Sequence, residues 1–259
     1  MKTWAIANQK GGVGKTTTTL CLARCLAQAG RQVLIVDMDP HASMTRAFNV
    51  PRHPVPSGTH ELFAHGAPGA DTLARTTPIE GLRLLAAQPA LATLERRSAS
   101  QPGLGMALQR ALSGVADLYD EVLLDCPPTL GLLMVNALAA ADALIVPTQT
   151  DPLALHGLTD MLHTAEMVET SRRRPLPRFV LPTLYDSRTT LGTQSLELLH
   201  DLHTGRVWPQ AIPMDARLRD ARALASAAPM TGPGANAYRQ ALAWLQAQPP
   251  LSATRSQAA

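Results

Sequence analysis

The sequence predicts an α/β fold of three layers, in which a mostly parallel twisted sheet carries helices on both faces. Short apolar runs typical of strands alternate with helical stretches along nearly the whole chain. Some runs, such as QVLIVD at 32–37, are too apolar for an edge strand, as expected in a sheet covered on both sides. The 259 residues suffice to bury such a core as one domain, which we predict to span residues 1–248.

The elements follow in chain order. A strand at 3–8, a helix at 15–28 that ends before Gly30 and a strand at 32–37 form a βαβ unit. Further strands are predicted at 82–87, 121–125, 143–149, 178–185 and 207–213, and further helices at 104–118, 155–170, 189–203 and 235–247. The segment 51–77 lacks periodicity and is expected to be a surface excursion, while the small polar residues of 249–259 predict a flexible tail.

The segment NQKGGVGKTTTT at residues 8–19 follows the first strand and opens the first helix. It holds Lys10 and Lys15, two of only three lysines in a chain that otherwise uses arginine. Such lysines are expected where a compact ammonium group is needed and a planar guanidinium does not fit. The glycines allow a tight turn and a close approach of the backbone to a ligand, and the helix N-terminus favours anions. The segment therefore predicts a phosphate-binding loop.

The usual loop pattern G-x-x-x-x-G-K-[ST] is only partly present, because Gln9 stands in place of its first glycine. The variant K-G-G-x-G-K-T has Lys10 as a second lysine five residues before Lys15. We predict that Lys15 holds the β- and γ-phosphates and that the Thr16 hydroxyl binds Mg²⁺. The predicted nucleotide-binding set is Gly11, Gly12, Val13, Gly14, Lys15, Thr16 and Thr17.

This loop resembles that of the ParA/MinD family of deviant Walker A ATPases, and is closer to the ParA branch. VLIVDMDPHAS and VLLDCPPTLG, with later segments at 181–192 and 211–221, extend the resemblance over about residues 3–247. It implies an ATPase that uses ATP and Mg²⁺, with slow hydrolysis stimulated by a partner. It also implies an ATP-dependent homodimer in which Lys10 crosses to the partner's phosphates, so that Lys10 and Lys15 are both catalytic.

The two motifs that follow strands supply three acidic residues. By resemblance, Asp39 positions or activates the attacking water, and Asp37 supports the site near the metal. Asp125 would hold Mg²⁺ through a water molecule. The alternative for Asp37 is that it only caps the end of its strand.

The C-terminal half carries the positive charge of the chain. Residues 171–222 contain nine arginines and five acidic residues, so the remainder is about neutral. Either this region meets an anionic partner, or it is a solvated surface. By resemblance, Arg188 and Arg217 bind DNA without sequence preference, while Pro213 and Asp215 contact the adenine.

Two segments depart from the common ParA sequence motifs, and both departures bear on the cargo. His41-Ala42-Ser43 replaces Gln-Gly-Asn. Ile212-Pro213-Met214-Asp215 replaces I-P-R-N, so that a methionine stands in place of an arginine and an acid in place of an asparagine, which weakens the case for tight DNA binding. DPHAS resembles a ParA branch that places chemotaxis arrays at cell poles. The resemblance thus implies an ATPase that positions such an array, or segregates plasmid or chromosome DNA, through an activating or cargo adaptor protein.

No apolar run approaches the length needed to cross a bilayer, so we expect a cytoplasmic protein without membrane insertion, with polar or nucleoid association possible. The three cysteines form no metal-ligand pattern and are expected to be structural. One alternative is an amide-forming ligase of the dethiobiotin-synthetase type. Another is an iron–sulfur carrier related to nitrogenase iron protein, but this requires a cysteine pair at a dimer interface.

Overall fold

The computed structural model describes residues 1–64, 66–97 and 104–248, and the predicted tail at 249–259 lies outside them. Its sheet has seven strands in the order β3-β4-β2-β5-β1-β6-β7. The strands are β1 Lys2–Ile6, β2 Val33–Asp37, β3 Arg75–Thr76, β4 Leu82–Leu85, β5 Glu121–Asp125, β6 Ala143–Gln149 and β7 Arg178–Thr183. All neighbouring strands pair in parallel except β3, which is antiparallel to β4 at one edge.

Helices cover both faces of this sheet. They are α1 Lys15–Gln28, α2 Ser43–Ala47, α3 Ala70–Leu73, α4 Leu91–Arg97, α5 Ala107–Ser113, α6 Leu132–Ala140, α7 Pro152–Arg172, α8 Thr190–Leu202, α9 Ala221–Leu224 and α10 Pro233–Ala247. Alternate side chains of β2 enter opposite cores: Leu34 and Val36 pack with α5, α6 and α7, and Val33 and Ile35 pack with α1 and α10. Because both faces are buried, the strand is apolar from Val33 to Val36, and the predicted three-layer fold is confirmed.

Two element predictions were wrong in detail. The helix predicted at 104–118 is a short 3₁₀ turn followed by α5, which ends at Ser113. The segment 207–213 is not a continuous strand: it pairs with β7 and the residues after it at isolated bridges, Val180 with Val207 and Tyr185 with Pro213. Its prolines, Pro209 and Pro213, lack the N–H groups that a continuous ladder needs.

The segment 51–77 is not only a surface excursion. From Thr59 onward it contains a 3₁₀ helix at Thr59–Phe63, the helix α3 and the edge strand β3. Leu62 and Phe63 are buried in the same core as α5 and α6. Elements of two to five residues are too short to show a hydrophobic period, which explains why the sequence pattern missed them.

No helix in the described part of the chain is both long and apolar enough to cross a bilayer.

Candidate nucleotide-binding site

The three motifs of the sequence meet at one edge of the sheet. Strands β2, β5 and β1 lie side by side, and their register pairs Asp37 with Asp125 and Ile6 with Asp125. The carboxyl ends of these parallel strands therefore bring the loop after β1 next to both acidic motifs. Ligands of open α/β sheets bind at such an edge.

The loop between β1 and α1 has a backbone that only glycine adopts easily. Gly12 and Gly14 have φ angles of +77° and +91°, in the left-handed region. A Cβ atom added at Gly11, Gly12 or Gly14 would meet no atom within 4 Å. Gly12 and Gly14 are thus required by the turn rather than by crowding, and the loop borders open space at the N-terminus of α1, where phosphates fit.

Two residues that the sequence analysis did not single out fix this loop to the sheet. Asn8 donates from Nδ2 to the Pro147 carbonyl at 2.8 Å, and its Oδ1 accepts from the Lys10 backbone N–H at 2.9 Å. Thr183, at the end of β7, donates from Oγ1 to the Val13 carbonyl at 2.8 Å. Pro147 and Thr183 lie far from the loop in sequence, so no local motif could have indicated these bonds.

The two loop lysines point in different directions. Lys15 is buried, and its Nζ donates to the Lys10 carbonyl at 3.2 Å. Burial lowers the pKa of Lys15, although the nearby carboxylate of Asp125 counteracts this effect. The Lys10 side chain is 30% exposed, and its Nζ lies 3.7 Å from Oδ1 of Asp151, the N-cap of α7. Lys15 faces its own loop, whereas the Lys10 side chain lies at the partly exposed edge of the loop.

A hydroxyl and a carboxylate lie together below the loop. Thr16 Oγ1 donates to Asp125 Oδ2 at 2.7 Å, and Thr19 Oγ1 lies 3.5 Å from Asp125 Oδ1. Burial, and then the charge of Asp37, raise the pKa of Asp125 well above its usual range. Hard oxygen donors of this kind fit Mg²⁺, which keeps several waters and binds substrate phosphates as well. The described residues include no cluster of three or more His, Cys, Asp or Glu side chains suited to hold a metal ion alone.

Asp37 is completely buried, and both of its oxygens accept protein hydrogen bonds. Oδ2 accepts from the Thr45 backbone N–H at 2.8 Å and from Thr45 Oγ1 at 2.7 Å. Oδ1 accepts from the Asp39 backbone N–H at 3.1 Å. Burial raises its pKa to about 6 despite these bonds. Asp37 thus anchors α2 and the turn before it, and its role near the metal stays a prediction.

Asp39 begins the turn between β2 and α2, and its carboxylate is largely covered, with 17% of the side chain exposed. Its Oδ1 accepts hydrogen bonds from the backbone N–H of His41 at 2.8 Å and from Nδ1 of the same residue at 2.9 Å. Its charge also reaches Lys15, where it opposes the effect of burial on the lysine pKa. The predicted hydrolytic carboxylate therefore lies beside the loop.

The predicted adenine contacts lie beyond β7. Pro213 bridges to Tyr185, and the Asp215 side chain is 6% exposed. Asp215 Oδ1 accepts from the Arg217 backbone N–H at 3.0 Å, and its Oδ2 accepts from the Gly234 N–H at 3.1 Å. These bonds tie the segment to the start of α10, so the adenine roles of Pro213 and Asp215 stay predictions.

The arginines of residues 171–222 serve two purposes. Arg172 and Arg174 donate to backbone carbonyls at and after the end of α6, including that of Ala141. Arg188 and Arg217 have side chains 84% and 63% exposed, as contact with DNA requires. Both are nevertheless close to a carboxylate: Arg188 makes bonds of 2.8 and 2.7 Å to Asp186, and Arg217 lies 3.9 Å from Asp215.

The three cysteines, Cys21, Cys25 and Cys126, are buried and unpaired. Burial raises the pKa of each thiol, most strongly for Cys21 and Cys126. These environments agree with the structural role predicted from their spacing, and they do not favour an iron–sulfur carrier.

Comparisons with known proteins agree with the geometry. The family model for an AAA domain matches residues 1–177, which contain all three motifs. The chromosome-partitioning ATPase Soj of Thermus thermophilus is 40% identical over 91% of this chain and 92% of its own length. The chromosome partitioning protein ParA of Myxococcus xanthus is 35% identical over 83% of this chain and 76% of its own length.

A solved structure gives a second line of comparison. Cobyrinic acid a,c-diamide synthase from Mycobacterium smegmatis, with bound ATP analog and magnesium, has a TM-score of 0.83 to this chain. The two are 35% identical, and the match covers 95% of this chain and 94% of the other.

Proposed function

We propose a nucleotide-switched positioning cycle for this chain, which belongs to the ParA/MinD family of deviant Walker A ATPases. It is a ParA-type ATPase that uses ATP and Mg²⁺. In the proposed cycle, the chain closes into a homodimer when it holds ATP, and the closed dimer engages an adaptor protein and its cargo. Hydrolysis then reopens the dimer and releases them.

The observation that carries this proposal is the different placement of the two loop lysines. Lys15 is buried under the loop, where it can exchange the Lys10 carbonyl for phosphate oxygens. Lys10 is partly exposed at the edge of the loop, and its one ion pair among the described residues is with Asp151. A cation in this position can reach phosphates held by a second copy of the chain and can neutralise charge on the transferred phosphoryl group.

The other residues of the site receive roles that fit their positions. The backbone N–H groups from Gly11 to Thr17 cradle the phosphates at the start of α1. Thr16 and Asp125 would hold Mg²⁺, with Asp37 supporting the site near the metal, and the ion would supply positive charge that neutralises the phosphates. Asp39 positions the attacking water.

The proposed cargo is inferred from what the similar proteins are named for. The Thermus relative is named for chromosome partitioning, and a similar role here would join the dimer to DNA through an adaptor. Exposed Arg188 and Arg217 would add weak, salt-dependent contacts to DNA phosphates. A polar chemotaxis array is the alternative cargo, suggested by the resemblance of the DPHAS motif at residues 39–43 to a ParA branch that places such arrays. The cargo then decides whether this cytoplasmic ATPase is nucleoid-associated or polar.

Light scattering in the presence and absence of ATP tests the switch. The wild-type chain should double its mass with ATP, whereas Lys10→Ala should stay monomeric while it still binds ATP. Lys2→Ala is the matched control, because Lys2 lies over the ring of Trp4 at the opposite end of β1. A wild-type mass that does not change with ATP would exclude the switch. A Lys10→Ala protein that dimerises normally would exclude the role of Lys10.

An amide-forming ligase is the second candidate, and the similarity to cobyrinic acid a,c-diamide synthase favours it. A ligase consumes ATP when its carboxylic acid substrate is present, because the phosphoryl group activates that acid. The two functions are distinguished by ATP turnover with and without cobyrinic acid and an ammonia donor, followed by product analysis by mass spectrometry. Turnover without added acid, and no amide product, is expected for the ParA-type ATPase.

A further inference from the structure

The turn after β2 places the imidazole of His41 against the carboxylate of Asp39. One oxygen, Oδ1, accepts both the His41 backbone N–H at 2.8 Å and Nδ1 at 2.9 Å. Among the residues that the structure describes, no hydrogen bond to the other oxygen, Oδ2, is found. One edge of the carboxylate is therefore held by a single residue, and the other edge is left for a ligand.

The backbone around His41 is fixed from both sides, so the position of its ring follows from the fold. The Ala42 N–H donates to the Asp39 carbonyl at 2.8 Å, and Ala42 has a left-handed φ of +54°. The guanidinium of Arg46 on α2 donates to the His41 carbonyl and, at 3.2 Å, to Ser43 Oγ. The ring itself is 80% exposed, but it is attached to a turn that α2 holds in place.

We propose that His41 is a positioning residue for ATP hydrolysis, which holds Asp39 so that its Oδ2 faces the attacking water. The inference rests on the role of Asp39 in the proposed function. To donate to a carboxylate, Nδ1 must carry a proton in either the neutral or the charged ring. This proton stays on His41 throughout, and His41 touches neither the nucleotide nor the water.

Phosphoryl transfer makes this orientation important for the rate. Its transition state is loose, so catalysis depends on placing the water and the charged groups rather than on strong proton abstraction. Small errors in the placement of reacting groups lower rates strongly. By contrast, a pair whose histidine ring is 80% exposed contributes little to folding stability. Loss of the imidazole should therefore change the hydrolysis rate but not the stability or the nucleotide affinity.

Single-turnover hydrolysis, with the chain in excess over ATP, tests the inference. His41→Leu should hydrolyse ATP about tenfold more slowly, the size expected for one lost hydrogen bond to a charged group. Its dissociation constant for ATP and its mass with ATP should match the wild type. His41→Asn places an amide nitrogen near the position of Nδ1 and should recover most of the rate. His163→Leu, at an exposed histidine of α7, should behave as the wild type.

Two further variants separate this inference from the function on which it rests. Asp39→Ala should lose hydrolysis, and adding His41→Leu to it should change nothing more, since His41 acts through Asp39. If Asp39→Ala hydrolyses ATP at the wild-type rate, the role of Asp39 fails and the inference fails with it. If Asp39→Ala is inactive but His41→Leu is as fast as the wild type, only the inference fails. It also fails if His41→Asn is as slow as His41→Leu.

Discussion

The phosphate-loop edge and the arginine-rich segment at 171–222 use their positive charges in opposite ways. At the loop edge, Lys15 makes one bond to a loop carbonyl, and glycines leave open space in front of the backbone. In the arginine-rich segment, Arg172 is bound by backbone carbonyls from the end of α6 and from the turn that follows α7. Arg178 is paired with Glu169.

This difference teaches that the number of charged residues in a segment does not measure how many of those charges are available to bind a partner. Arginines that cap a helix C-terminus stabilise the fold, because they satisfy carbonyls that have no partner inside the helix. By contrast, lysines that make few bonds and lie beside open space are available to bind a ligand. Substitutions in the two regions should therefore change different properties of the protein, and the following predictions test this separation.

The largest effect is expected at Lys15. Lys15→Ala should weaken ATP binding by at least about a hundredfold, because it removes charge-assisted bonds to the phosphates. The midpoint of urea unfolding without nucleotide should change little, since the buried ammonium makes a single bond to the described residues, at 3.2 Å. Calorimetric titration with Mg-ATP measures the affinity, and Lys2→Ala serves as the control. An affinity within threefold of the wild type would remove Lys15 from the site.

The next effect is on stability and belongs to the arginine-rich segment. Arg172→Ala should lower the free energy of unfolding by about 2–3 kcal/mol, because several backbone carbonyls would lose their donor. Arg188→Ala should leave it nearly unchanged, because that exposed side chain bonds Asp186, two residues away in the same turn. Urea denaturation followed by circular dichroism compares them. Equal effects of the two substitutions would contradict the division of the arginines.

A smaller effect is expected on DNA binding. With ATP, the double variant Arg188→Ala/Arg217→Ala should bind duplex DNA about tenfold more weakly, and the salt dependence should fall by about two counterions. Arg206→Ala, at another exposed arginine, is the control. Fluorescence anisotropy over a series of salt concentrations measures both quantities. An unchanged salt slope in the double variant would mean that these arginines do not touch DNA.

The smallest effect is expected at Asp151, the partner of Lys10. Asp151→Asn keeps a side-chain oxygen for the N-cap bond to Leu153 but removes the charge that holds the Lys10 ammonium. Release of Lys10 should strengthen the ATP-dependent dimer about twofold to fivefold, since a partly exposed ion pair contributes little. Sedimentation over a range of concentrations measures the dimer affinity. A weaker dimer would instead indicate that Asp151 itself contributes to the interface.

The sequence predicted the layered fold because its central strands, such as β2, are buried on both faces, and because helices such as α1, α7 and α8 are long. It failed where elements are short or interrupted. The strand β3 has two residues, and the segment 207–213 contains prolines that interrupt its pairing with β7. Such elements depend on contacts with distant parts of the chain, which a local pattern does not contain.

In the candidate site, too, the sequence predicted what lies in local motifs and missed what depends on contacts between distant residues. The loop residues and Asp125 were predicted because each belongs to a contiguous motif at the end of a strand, and the structure brings them together. Asn8 and Thr183, which hold the loop in place, were missed because their bonds join residues far apart in sequence. The contact between His41 and Asp39 spans only two residues, yet it depends on the geometry of a turn that α2 fixes.

The central claim is that Lys10 acts across a dimer on ATP held by the second chain, and mixing two inactive variants tests it most directly. Lys10→Ala keeps Asp39, and Asp39→Ala keeps Lys10. In a mixed dimer, ATP on the Lys10→Ala chain meets its own Asp39 and the partner's Lys10, so hydrolysis should return when the two proteins are combined. If mixed dimers of the two variants form with ATP but stay as inactive as the single variants, Lys10 does not act across the interface.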